Sequence, residues 1–88
     1  MSKIGVRIDQ RLITADTVIH PDGFCGATFY NQGETAALLM NSTKIQPGAA
    51  HSFNFSWNEK IASDLSLSFP DGKGGEVVLT KIYKTIEG

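Results

Sequence analysis

The sequence holds one cysteine, Cys25, in 88 residues, so no internal disulfide can staple the chain. Charged residues make up only 19% and aromatic residues 9%. Eight Lys and Arg stand against nine Asp and Glu, a net charge of −1. That balance gives no electrostatic case for nucleic acid or an anionic membrane as a partner. No apolar stretch approaches transmembrane length. Near the N-terminus, Arg7, Asp9, Arg11 and Asp16 interrupt any run that could serve as a signal-peptide core. The expectation is a protein made and folded in a cytoplasm. The triplet Asn41-Ser42-Thr43 matches a glycosylation acceptor, but it is a chance match in a chain that is not secreted.

What the sequence does have is a hydrophobic fraction of 41%, which is globular composition. A chain of this length forms one domain, residues 1–88, with a modest core. Apolar residues recur with period 2, the pattern of strands with a buried face. Phe53, Phe55 and Trp57 alternate with Ser52, Asn54 and Ser56, and Leu65, Leu67 and Phe69 with Ser66 and Ser68. Ile4, Val6 and Ile8 alternate with Lys3, Gly5 and Arg7. Near the C-terminus both faces carry apolar residues: Val78, Ile82 and Ile86 on one, Val77, Leu79 and Tyr83 on the other.

Turn signals separate these runs: His20-Pro21-Asp22-Gly23, Asn31-Gln32-Gly33, Gln46-Pro47-Gly48 and Pro70-Asp71-Gly72-Lys73-Gly74-Gly75. No segment sustains an apolar stripe at helical spacing, and the helix-favouring run 36–40 is too short. The reading is strands near 3–8, 11–19, 25–31, 35–41, 51–57, 61–69 and 76–86, with Ile45 packed inward. Seven short strands predict a small antiparallel β-sandwich, Ig-like or jelly-roll-like, with a barrel as runner-up.

The chemistry-bearing residues form no recognisable constellation. The glycine-rich loop 70–76 lacks the Lys-Ser/Thr and the helix of a phosphate cradle, and Lys73 stands where a calcium loop needs a carboxylate. It reads as a hairpin connection. His20 and His51 each lie beside a turn, too few for a zinc site. A Cys25–His51 nucleophilic pair has no local signature, and Cys25 reads as a small buried hydrophobe. Asp9, Asp16, Asp22 and Asp64 are scattered. The expectation is therefore no enzyme, no metal and no cofactor.

The segment 27–55 reads ATFYNQGETAALLMNSTKIQPGAAHSFNF. Asn31, Gly33, Leu39 or Met40, Asn41, Ile45, Pro47, Gly48 and Phe53 fill a phrase of the type N-x-G, an aliphatic before Asn, an inward aliphatic, Pro-Gly and Phe. In this the chain resembles small β-sandwich proteins of tailed-phage virions. The resemblance implies a multi-copy decoration or accessory protein of the virion, without catalysis. Its partners would be a major capsid, neck or tail protein and copies of itself.

Lys3, Ile4, Val6, Arg7, Tyr30 and Trp57 are the candidate partner-interface residues. The run 3–8 offers a free backbone with Gly5 at its middle, and the two aromatics could be exposed. Two other classes stay open. Tyr30, Trp57 and Tyr83 could stack on sugars, making a carbohydrate-binding module. The Phe53, Phe55 and Trp57 row could stack on single-stranded nucleic acid, making a barrel of that kind.

Overall fold

A computed structural model describes the backbone of residues 3–54 and 62–87, and the side chains of 5–54 and 62–85. Eight strands run in order: β1 (Lys3–Ile13), β2 (Thr17–Ile19), β3 (Gly26–Asn31), β4 (Ala37–Leu39), β5 (Thr43–Ile45), β6 (Ala50–Asn54), β7 (Leu65–Ser68) and β8 (Val77–Glu87). They form two four-stranded antiparallel sheets, ordered β1-β8-β3-β6 and β2-β7-β4-β5.

The pairings obey one rule. β1 pairs with β8, β2 with β7, β3 with β6 and β4 with β5. A long ribbon of four nested pairs has been rolled so that alternate pairs fall in opposite sheets. That is the jelly-roll order, one of the two sandwich types expected.

Alternation places the core. Ile13, Ala27, Phe29, Val77, Leu79 and Tyr83 of the first sheet meet Ile19, Ala37, Leu39, Ile45, Leu65 and Leu67 of the second; Phe69 joins them from just past β7 and Phe24 from the β2–β3 loop. Burying a side chain the size of Phe29 or Leu39 contributes about 1.5–3 kcal/mol. Cys25 is buried as a small hydrophobe, its Sγ 3.4 Å from the Ile82 carbonyl oxygen.

The buried polar residue Asn31 holds the crossover from β3 to β4. Its Nδ2 donates to Thr35 O (2.7 Å) and Ile45 O (3.0 Å), and its Oδ1 accepts from Gly33 N (3.0 Å). One side chain thus replaces three ladder bonds where β3 leaves its sheet. Gly33 must lack a side chain, since a Cβ there would stand 2.9 Å from Glu76 N. The Asn-x-Gly of the sequence phrase is a structural staple.

Several expected boundaries change. Runs 3–8 and 11–19 are one eleven-residue strand and one three-residue strand, with the break at 14–16 rather than 9–10. Asp9 and Gln10 looked like a break because they are polar; they sit on an edge strand and tolerate water. Run 35–41 shrinks to Ala37–Leu39. Met40 and Asn41 both take positive φ (56° and 57°), and Ser42 N bonds Leu39 O at 3.2 Å. This is a type I′ turn into β5, the strand the sequence reading lacked, which makes eight strands rather than seven among the described residues. Run 61–69 becomes Leu65–Ser68, with 61 outside the described residues; the strand expected at 51–57 begins at Ala50 and is described as far as Asn54, with 55–57 outside the described residues.

The loop 70–76 is not a hairpin connection: β7 and β8 belong to different sheets. It crosses the end of the sandwich and packs there. Gly75 N bonds Thr14 O (3.2 Å), and Thr35 Oγ1 bonds Gly74 O (3.0 Å). Phe69 N bonds Asp16 Oδ1 (2.9 Å). Asp71 Oδ1 accepts from Lys73 N at 2.9 Å, which shapes the turn.

Candidate interaction surface

β1 is an edge strand, paired with β8 along its whole length and, among the described residues, with no strand on its other side. The first residue of β3, Gly26, lies opposite Ile82. Among the described residues, 83–87 of β8 therefore have only β1 residues 3–7 as strand neighbours. Sheet becomes a two-stranded ribbon there, marginal in water unless something braces it.

The brace is a cluster at the ribbon's base. The Arg7 guanidinium carbon lies 3.9 Å from the Tyr83 ring centroid, and Arg7 Nη1 is 2.7 Å from Asp9 Oδ2. The Tyr83 hydroxyl donates to Asp22, 2.9 Å from each carboxylate oxygen, and Lys81 Nζ bonds Asp22 Oδ2 at 3.1 Å. Phe24 meets the Tyr83 ring edge-on, with centroids 6.2 Å apart. Lys81 is largely sheltered, its side chain 14% exposed, whereas Asp22 is half open at 49%.

Burial would raise the Asp22 carboxyl, but the Tyr83 hydroxyl and Lys81 outweigh it and hold it below its ordinary 3.8. Burial would lower the Lys81 ammonium, but the Tyr83 hydroxyl and Asp22 outweigh it and hold it above 10.5. Both groups are charged at neutral pH and lock each other.

The outer face of the same sheet is apolar and uncovered. Val6 is 60% exposed, Ile8 62%, Leu12 52% and Tyr30 43%. Register puts Ile8 opposite Ile82, Leu12 opposite Val78, and Val78 opposite Tyr30. A polar row crosses this face: Gln10 Nε2 bonds Thr80 Oγ1 (3.1 Å), and Thr28 Oγ1 and Ser52 Oγ share a bond of 3.0 Å. Hydroxyls pair with each other there, while the aliphatic side chains have water for a neighbour.

The structure brings only some of the expected interface residues together. Val6 and Tyr30 share the outer face, two strands apart. Arg7 faces the other way and is engaged with Tyr83. Lys3 and Ile4 lie in β1 at the ribbon tip, opposite Glu87 and Ile86. Trp57 lies outside the described residues.

The apolar run Ile4, Val6, Ile8 was expected to be a buried strand face. At Val6 and Ile8 it is the solvent-facing side. Sequence reasoning did not single out Ile8, Leu12, Val78 or Ile82 as one surface. Their common parity along two paired strands was the available signal. The Arg7-x-Asp9 spacing, which puts opposite charges on one strand face, was also legible.

The aromatic residues of the other two readings are placed differently. Tyr83 is a core residue under Arg7. Phe53 is half-buried, its ring edge-on to Phe29 (6.4 Å) and to His51 (4.9 Å). His20 Nδ1 is 3.1 Å from Asp64 Oδ1, both exposed. Among the described residues no group of three His, Cys, Asp or Glu is placed to hold a metal ion. A depression of about 430 Å³ lies among the loops at the opposite end of the sandwich, lined by Gln32, Gly33, Glu34, Thr35 and residues 73–76.

Among the described residues, fold and surface together define an eight-stranded jelly roll with an open strand edge beside an apolar sheet face. Comparison with protein-family models, with curated proteins and with solved structures finds no match.

Proposed function

We propose that this chain is a non-catalytic structural protein of a phage virion, a multi-copy decoration or accessory protein seated on a capsid, neck or tail surface. The observation that carries the reading is the uncovered face of Val6, Ile8, Leu12 and Tyr30 beside the free edge of β1. Scattered exposed hydrophobic residues are ordinary, but four large ones on one flat face mark a surface that another protein covers.

Two further points support it. The phrase resembling virion β-sandwich proteins is built into the fold here: Asn31 staples, Ile45 is buried and Gly48 turns at φ 82°. Jelly rolls also recur in viral capsid domains, although they serve lectins and cupins too, so this is an analogy of fold. The carbohydrate reading keeps Tyr30 as its exposed ring and loses Tyr83 to the core.

Mass spectrometry and electron microscopy of purified particles from the source of the gene test the proposal. The expected result is the chain in many copies per particle. Its absence from particles would overturn the reading.

A further inference from the structure

This inference rests on the reading of the chain as an assembly protein and names its partner. We propose that β1 pairs with β1 of a second copy, antiparallel and centred on Ile8, joining two four-stranded sheets into one of eight strands.

The first ground is where the backbone groups point. Gln32 N donates to Glu76 O at 3.0 Å. Residues alternate along an antiparallel strand, each sending its N–H and C=O to one side. The β3–β8 and β1–β8 registers run without a break. Even-numbered residues of β8 therefore bond β3, and odd-numbered ones bond β1. Arg7, Asp9, Arg11 and Ile13 spend their backbone groups on β8. Those of Val6, Ile8, Gln10 and Leu12 point to the open edge. The unpaired donors belong to the residues whose side chains form the apolar face.

The second ground is charge. Edge strands commonly carry charges that discourage pairing. The β1 charges alternate in sign, so they select a register instead. Centred on Ile8, pairing sets Arg7 opposite the second copy's Asp9 and Asp9 opposite its Arg7. Gly5 falls opposite Arg11, Val6 opposite Gln10 and Ile8 opposite Ile8. Centring on Asp9 would put Asp9 against Asp9 and Arg7 against Arg11. Centring on Arg7 would put Arg7 against Arg7. Like charges directly opposed are destabilising.

The third ground is length. The Ile8-centred register is also the one in which all eleven residues of Lys3–Ile13 overlap. It keeps the two apolar outer faces on one side and makes them continuous. The interface is isologous and closes with two copies.

Disulfide trapping and sedimentation test this on the full chain. Ile8→Cys places two thiols in a bonded pair with Cα atoms about 5.5 Å apart, within disulfide reach. Gln10→Cys places its sulfurs four residues out of register, beyond reach. Both positions are exposed, and the native Cys25 is buried. The expected result is a species of twice the 9.5 kDa chain mass. On mild oxidation the Ile8→Cys chain should cross-link and the Gln10→Cys chain should not. Asp9→Arg should weaken the dimer about tenfold or more, and adding Arg7→Asp should restore it. A monomer at all concentrations, or efficient cross-linking through residue 10, would overturn the inference. A chain that is monomeric in solution yet abundant in particles would sink this inference and leave the virion reading standing. A dimeric chain absent from particles would do the reverse.

Discussion

The Tyr83 hydroxyl is equidistant from the two carboxylate oxygens of Asp22, 2.9 Å from each. One proton is thereby shared across the junction between β8 and the loop before β3. Tyr83→Phe deletes that bond and leaves the ring under Arg7. A hydrogen bond to a charged group contributes about 1.5–3 kcal/mol. Asp22 is half exposed, so screening reduces the expected loss to about 1 kcal/mol. Chemical denaturation measures it, and an unchanged midpoint would show the hydroxyl to be passive.

The same cluster sets a pH window. The Asp22 carboxyl is held below 3.8 in the folded chain. Its contribution is therefore present above that value and fades as pH falls through the lower folded value. The Lys81 ammonium is held above 10.5. Its contribution is present below 10.5 and fades as pH rises through the folded value. The lock is intact between these limits. Titration of Lys81→Met should show a flatter alkaline limb than the parent; an identical limb would mean another group governs it.

Asn31 offers a harsher test. Asn31→Ala removes the amide that donates to Thr35 O and Ile45 O, while Gly33 N keeps its bond to Glu76 O (3.1 Å). Unsatisfied buried groups cost about 1–3 kcal/mol each, so a loss of about 2–5 kcal/mol is expected. Asn31→Asp should be as damaging at neutral pH, because a carboxylate would face two carbonyl oxygens. Acid should partly rescue it by supplying a proton to donate. Thermal melts of both variants at two pH values decide this, and a melt for Asn31→Asp that does not move with pH would count against the assigned bonds.

Two glycines in one loop separate conformational cost from collision. Gly72 and Gly74 both have positive φ (75° and 79°). A Cβ at Gly72 meets nothing within 4 Å, whereas one at Gly74 would run into the Thr14 carbonyl oxygen. Gly72→Ala should cost about 1 kcal/mol from the left-handed backbone alone. Gly74→Ala should cost about 3 kcal/mol or more, because the loop must move off β1's end as well. Equal losses would show that the loop only connects.

The alternation of Leu65, Leu67 and Phe69 was enough to place β7, and Ile45 was rightly turned inward, because burial on one face leaves period 2 in the sequence. The same logic misled at β1. Val6, Ile8 and Leu12 carry that period with no core beneath them, and local pattern does not say which side the second sheet covers. β5 is three residues, Thr43–Ile45, too short for periodicity to register. The crossover at 70–76 looked like a hairpin because turn chemistry is local, while sheet membership depends on partners far along the chain. The Asp22–Lys81–Tyr83 cluster was invisible for that reason too, its members lying about sixty residues apart.

The nested pairing of β1 with β8, β2 with β7, β3 with β6 and β4 with β5 also orders events in time. Among the described residues only β4–β5 joins neighbours in sequence, so it closes the smallest loop and costs the least entropy. Folding is expected to start at that turn and zip outward, slowly for a chain of this length because most contacts are non-local. β1 docks last. The β1 edge offered to a second copy then exists only once the rest of the roll is complete; until β1 docks, the edge left open on that side is that of β8. Pulse-labelled hydrogen exchange during refolding would test the order: protection at Ala37–Ile45 should precede protection at Lys3–Ile13.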